Sequence, residues 1–175
     1  MDFAALKHIG RLLIITAIQV VILNQIHFSG YITPYFYPIF ILLLPFDTRG
    51  YVLLLAAFFS GLAVDMFSNS LGMHASATLL MAFLRPSVIR LITIKSDFEP
   101  GTEPRVSEMG TGWVLIYSAI LISIHHLALF FIEVFRFQEL GDIVVRSLLS
   151  AAFSLVLIML THLLMGNPKK SSAFR

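Results

Sequence analysis

AFFSGLAVDMFSNSLGMHASATLLMA, residues 57–82, is an apolar stretch of membrane-spanning length with a single carboxylate, Asp65, set deep inside it. A charge in hydrocarbon is costly, so it faces protein or water and has a role there. Ala57, Gly61 and Asp65 recur every four residues and so share one stripe of a helix. Small residues at that spacing let a second helix approach closely in lipid. Polar Ser68, Asn69 and Ser70 follow, all helix-capping types. Gly72 comes next, and its missing side chain permits a tight turn. The stretch therefore reads as helix, break, helix. Counting about 1.5 Å per residue from Gly50, Asp65 lies roughly 22 Å up an apolar core about 30 Å thick. At that depth the carboxylate can satisfy the free N–H groups and dipole at the start of the next helix. Compatible with that role, the polar break can also be presented to a partner's membrane helix. His74 is a further candidate to pair with Asp65.

Working outward, the 175 residues are 58% hydrophobic and 13% charged, against about 45–50% and about 25% in soluble domains. The chain reads as a single all-α, polytopic membrane helix bundle. Spans are expected near 12–28, 32–46, 50–67, 71–94, 113–135 and 143–165, followed by a basic tail at 166–175. The apolar run Leu12–Phe28 is too long for a signal-peptide core and reads as an uncleaved first span. Pro34, Pro38 and Pro45 kink the second span, because proline removes a helical donor. The first, fifth and sixth segments meet the roughly 17–25 residues a span needs; the others are shorter or interrupted, so five spans is the alternative to six.

Charge favours six. With both termini cytoplasmic, the inner segments hold Lys7, Arg11, Arg49, Arg85, Arg90, Lys95, Arg105, Lys169, Lys170 and Arg175, and the outer ones only Arg136 and Arg146. Cytoplasmic loops carry such an excess. Tyr31, Tyr35 and Tyr37 then fall at the outer interface and Trp113 at the inner one. Arg85, Arg90 and Lys95 are expected to snorkel to the inner surface or to meet anionic lipid.

Other chemistry is sparse. The excess of two basic residues is too small to indicate nucleic acid, and the absence of cysteine removes disulfides and thiolate sites. His125 and His126 sit mid-helix, but two histidines are too few ligands for a metal centre. Interhelical hydrogen bonding is the expected use of both, as it is of Gln19, Asn24 and Gln25. No cofactor is implied, and nothing marks an enzyme: there is no phosphate-cradling loop, no Ser/His/Asp constellation and no zinc-binding helix pattern.

Gly61-Leu62-x-x-Asp65 followed by Leu71-Gly72-Met73-His74-Ala75 and a helix of small residues resembles the rod shape-determining protein MreD family. Length, span number and basic ends agree with that likeness. The resemblance implies a non-enzymatic scaffold of the bacterial elongation machinery in the inner membrane, organising peptidoglycan synthesis and cell shape. It implies MreC as the direct partner, with the actin-like MreB and a transpeptidase/glycosyltransferase wall synthase pair further out. It also implies a fold like the substrate-binding membrane subunits of energy-coupling-factor transporters. Residues Ala57, Gly61, Asp65, Asn69, Gly72 and His74 are then the expected partner-binding or structural motif. A vitamin-binding transport subunit is the alternative. Such subunits usually carry Ala-x-x-x-Ala in the first helix, whereas here Ala17 is followed four residues later by Val21.

Overall fold

The computed structural model describes residues 3–25, 32–93 and 98–165. Regular structure among them is helical: α1 (Phe3–Val21), α2 (Ile39–Leu42), α3 (Gly50–Ser68), α4 (Met73–Ile92), α5 (Val106–Met109), α6 (Thr111–Val134) and α7 (Leu140–Met165), with 3-10 turns at Leu23–Gln25 and Phe137–Glu139. Five stretches are long and apolar enough to cross a membrane: Leu6–Gln25, Gly50–Ser68, Met73–Ile92, Thr111–Val134 and Phe137–Leu164. The chain thus fits a multi-pass membrane protein with five spanning helices. In the described residues α1 packs on α3, α3 on α4, α4 on α6 and α6 on α7. Leucines, valines and phenylalanines such as Leu13, Phe59, Phe83, Leu148 and Leu160 cover the outside, as a lipid-facing surface requires.

The expected second span is corrected. Residues 32–38 are extended or turn, and helix is confined to the four residues of α2. Yet residues 34–44 are all buried, and they run the length of the bundle between the helices. Irregular backbone at membrane depth survives only when protein surrounds it and supplies its hydrogen bonds. Side chains of four helices do so here. Gln19 Oε1 on α1 accepts from the Phe36 and Tyr37 amides at 2.6 and 3.2 Å, and Gln19 Nε2 donates to Pro34 O at 3.2 Å. On α7, Ser150 Oγ accepts from the Thr33 amide at 3.2 Å and Ser154 Oγ from the Tyr35 amide at 2.9 Å. Farther along, Tyr117 Oη on α6 donates to Leu42 O, and Arg85 Nη2 on α4 donates to Leu44 O. The prolines therefore do not kink a helix here. Pro38 instead stands at the N-terminal boundary of α2.

The tyrosines are corrected with it. Tyr37 is 1% exposed and Tyr35 is also buried; Tyr31 lies outside the described residues. Trp113 is half-buried, stacks on Tyr117 and donates to Thr93 Oγ1 at 3.1 Å. The first helix also begins earlier than expected, taking in Lys7 and Arg11.

Two ends of the bundle differ in charge. At one end Glu103 receives Lys7 at 3.4 Å, Arg11 at 3.2 Å and Arg105 at 2.6 Å. Arg49 lies beside His8 and Gly101, and Arg90 beside Thr48 and Phe98, so both belong to this basic face. His162, near the end of α7, lies within electrostatic reach of Arg105. The other end carries Asn24, Ser68 and Glu133, with Glu133 paired to Arg146 at 3.1 Å. The basic tail at 166–175 lies outside the described residues.

Burial alone would raise the Glu103 carboxyl, but Arg11, Arg105 and Lys7 outweigh it and hold the group below its ordinary value. A depressed folded-state value gives stability that is present above the ordinary carboxylate range, about pH 4.3, and is lost as pH falls through the folded value. Glu103→Gln is expected to lower stability at neutral pH by about 1 kcal/mol. Thermal melting of both proteins across pH should show the two curves converging in acid; a constant gap would remove Glu103 from the stability of this face.

Candidate functional site

The helix–break–helix unit forms one internally bonded joint at the end opposite the basic face. Helix α3 ends with Asn69 in the left-handed region (φ 53°), and its amide bonds back to Asp65 O. Leu71 (φ 34°) and Gly72 (φ 86°) are also left-handed, and Gly72 precedes α4 without supplying a side-chain cap. Asp65 supplies that cap from the preceding helix. Its Oδ1 accepts from Ser70 Oγ at 2.6 Å and from the His74 amide at 3.0 Å, and its Oδ2 accepts from the Ala75 amide at 2.9 Å. The free N–H groups and positive dipole end of α4 thus meet a carboxylate. Asp65 is buried and does not face lipid. His74 pairs with it through its backbone N–H.

Gly61 makes the geometry available. A β-carbon there would stand 2.5 Å from Ala75 Cα, 2.6 Å from Ala75 N and 2.6 Å from His74 O. The first turn of α4 therefore lies directly on the α3 backbone, one turn below Asp65. Ala57 continues the same buried stripe. Of the expected motif, Ala57, Gly61, Asp65 and His74 are buried inside the chain, whereas Asn69 is exposed and Gly72 half-buried. The close approach expected of the small residues is made by α4 of this same chain.

Beside the joint, α3 and α4 leave an apolar groove of about 730 Å³ whose walls include Phe58, Leu62, Met66, Leu71 and Leu79. Leu71 stands fully exposed at its rim.

A polar network lies behind the joint and includes the interhelical hydrogen bonding expected of the histidine pair. Tyr37 Oη is 2.8 Å from Thr78 Oγ1, 2.7 Å from His125 Nε2 and 3.4 Å from His74 Nδ1. His126 bonds Ser154 Oγ at 3.2 Å and Ile122 O at 2.9 Å. The Tyr35 ring packs edge-on against His74, with ring centroids 4.9 Å apart. His125 and His126 therefore tie the central segment to α6 and α7. Among the described residues no group of acidic and histidine side chains could hold a metal ion. A cavity of about 350 Å³ reaches this network from the Glu133 end; Asn24, Thr33, Ser68, Ser70, His74 and Glu133 contribute its polar lining. The sequence signal for the rest of the network is the spacing of His74 and Thr78 on one buried face of α4.

Arg85 is corrected. It does not snorkel: it is 2% exposed, and its Nε donates to Tyr117 Oη at 2.7 Å.

No protein-family model matches the chain, and no curated protein or solved structure matches it. The five apolar helices fit a multi-pass membrane protein, one with a carboxylate-capped α3–α4 joint and an irregular central segment.

Proposed function

We propose that this protein is a non-enzymatic membrane scaffold of the bacterial elongation machinery, binding MreC and so organising peptidoglycan synthesis and cell shape. The observation that carries the reading is the surface of the joint. Leu71, an apolar residue in the left-handed region, stands exposed beside an apolar groove walled by Phe58, Leu62 and Met66. A left-handed non-glycine backbone costs energy and persists where surrounding structure enforces it. Here the Asp65 cap and the Gly61 contact enforce it, and the result is a knob and a groove of the kind a membrane helix packs against. Asn69 at the same rim offers a polar contact to that helix. The positive-inside bias supports an orientation with the basic face, including Lys7, Arg11 and Arg105, in the cytoplasm and the joint toward the outer leaflet.

The test is co-purification with MreC from solubilised membranes. Ser76→Phe fills the groove from an exposed position, and Leu71→Ala removes the knob. Each is expected to lower recovered MreC roughly tenfold while leaving the melting temperature within a few degrees, as surface changes do. Unchanged recovery from both would remove the groove from the interface.

The polar cavity at the Glu133 end favours one second reading, a membrane subunit that binds a small polar molecule. Its lining is mostly polar, with Asn24, Thr33, Ser68, Ser70, His74 and Glu133 converging on one space beside Phe67, Met73 and Leu129, and convergent polar groups in a concave site fix a ligand's orientation. A small molecule released on denaturing the same purified protein, together with full MreC recovery from both groove variants, would favour this reading over the scaffold.

A further inference from the structure

We infer that the cavity at the basic face around Arg85 and Arg90 is a site for the phosphate of an anionic phospholipid headgroup. It rests on the membrane reading of the five helices and not on the identity of the partner.

The argument starts from Arg85. Its guanidinium is buried at the depth of the spanning helices. Its hydrogen-bond acceptors are the Tyr117 hydroxyl and the Leu44 carbonyl, both neutral. Among the described residues no carboxylate pairs with it. A buried cation without a counter-charge is strongly unfavourable, and arginine cannot shed its proton to escape the cost. Among the described residues, neutral acceptors orient the group and none compensates its charge.

The space beside it has the composition of a site for an anion, which would supply the counter-charge. A cavity of about 480 Å³ opens next to Arg85 and is bordered by Arg90, Thr48 and Thr93, with apolar walls that include Leu53 and Ile89. Arg90 is exposed, and its hydrogen bond is a long one, 3.3 Å, to Ser87 Oγ. Two guanidinium groups with hydroxyls nearby match a phosphate, which arginine engages through parallel N–H donors. The apolar walls and the position at the end of the spanning helices match an amphiphile of the adjoining leaflet better than a free ion. Basic pockets between membrane helices recognise anionic headgroups by this chemistry.

The test uses the full chain in neutral detergent, with retained lipid counted by native mass spectrometry after equilibration with phosphatidylglycerol or phosphatidylcholine. The unmodified protein is expected to retain one phosphatidylglycerol at least roughly tenfold more strongly than phosphatidylcholine, the factor that charged hydrogen bonds confer. Arg85→Gln should abolish that preference. Because Arg85 also holds the central segment, Arg90→Gln is the variant that leaves the fold alone, and it should reduce the preference severalfold. Arg49→Gln, on the same face but outside the cavity, should leave it unchanged. Equal retention of the two lipids would overturn the proposal. So would an effect of Arg49→Gln equal to that of Arg90→Gln, which would mean diffuse attraction to the face. Displacement of the retained lipid by millimolar inorganic phosphate would also overturn it, assigning the cavity to a free anion.

Discussion

Gly61→Ala is expected to destabilise the protein by about 3 kcal/mol, the upper end of what overpacking costs. The added methyl would sit 2.5 Å from Ala75 Cα and 2.6 Å from both Ala75 N and His74 O. Those atoms are backbone and cannot swing aside as a side chain can. Relief requires α4 to lift from α3, which pulls the His74 and Ala75 amides away from Asp65. The measurement is thermal unfolding of the purified chain, followed through Trp113, the single tryptophan. Gly72→Ala is the control: space there is open, and only the φ of 86° resists a side chain, a penalty of roughly 1–2 kcal/mol. Equal losses from the two would mean that the close approach at Gly61 is not what holds the helices together.

The second large effect is at Asp65. Asp65→Ala leaves three buried donors without their acceptor: the Ser70 hydroxyl and the amides of His74 and Ala75. Each unsatisfied buried group costs about 1–3 kcal/mol, so a loss of at least about 3 kcal/mol is expected. Asp65→Asn should fall between. Its oxygen can still accept from Ser70 and His74, but its NH₂ group would oppose the Ala75 N–H, donor against donor. Unfolding that ranks Asp, Asn, Ala in falling stability supports the cap. Asn as damaging as Ala would instead make the negative charge at the helix dipole the dominant contribution. MreC recovery from these variants, scaled to the folded fraction, separates the fold from the docking surface.

The α3–α4 unit was legible because its determinants are local. Period-four small residues, capping types and a glycine at the turn all lie within residues 57–75, and the observed helices Gly50–Ser68 and Met73–Ile92 differ from the expected spans by two residues or fewer at each end. Whether Asp65 served the chain or a partner was not legible, since a cap and a docking face use the same residue types. The segment 32–46 misled for a different reason. An apolar run with three prolines looks alike as a kinked span and as an extended core filler. What decides is the set of acceptors on other elements, Gln19 and, more than a hundred residues later, Ser150 and Ser154. Arg85 misled in the same way: its partners, Tyr117 and Leu44, are distant in sequence. Helix α1 begins before the apolar run because Lys7 and Arg11, which hydropathy discounts, are accommodated in it by pairing with Glu103.

The central segment also has a consequence for biogenesis. A ribosome emits Thr33 and Tyr35 long before Ser150 and Ser154, whose hydroxyls receive their amides. Until the last helix is inserted, those amides must stay hydrated or be stranded in hydrocarbon, where each unpaired group costs several kcal/mol. Full pairing of these two amides therefore waits for the last helix, whereas Gln19, already emitted, can hold the Phe36 and Tyr37 amides from the start.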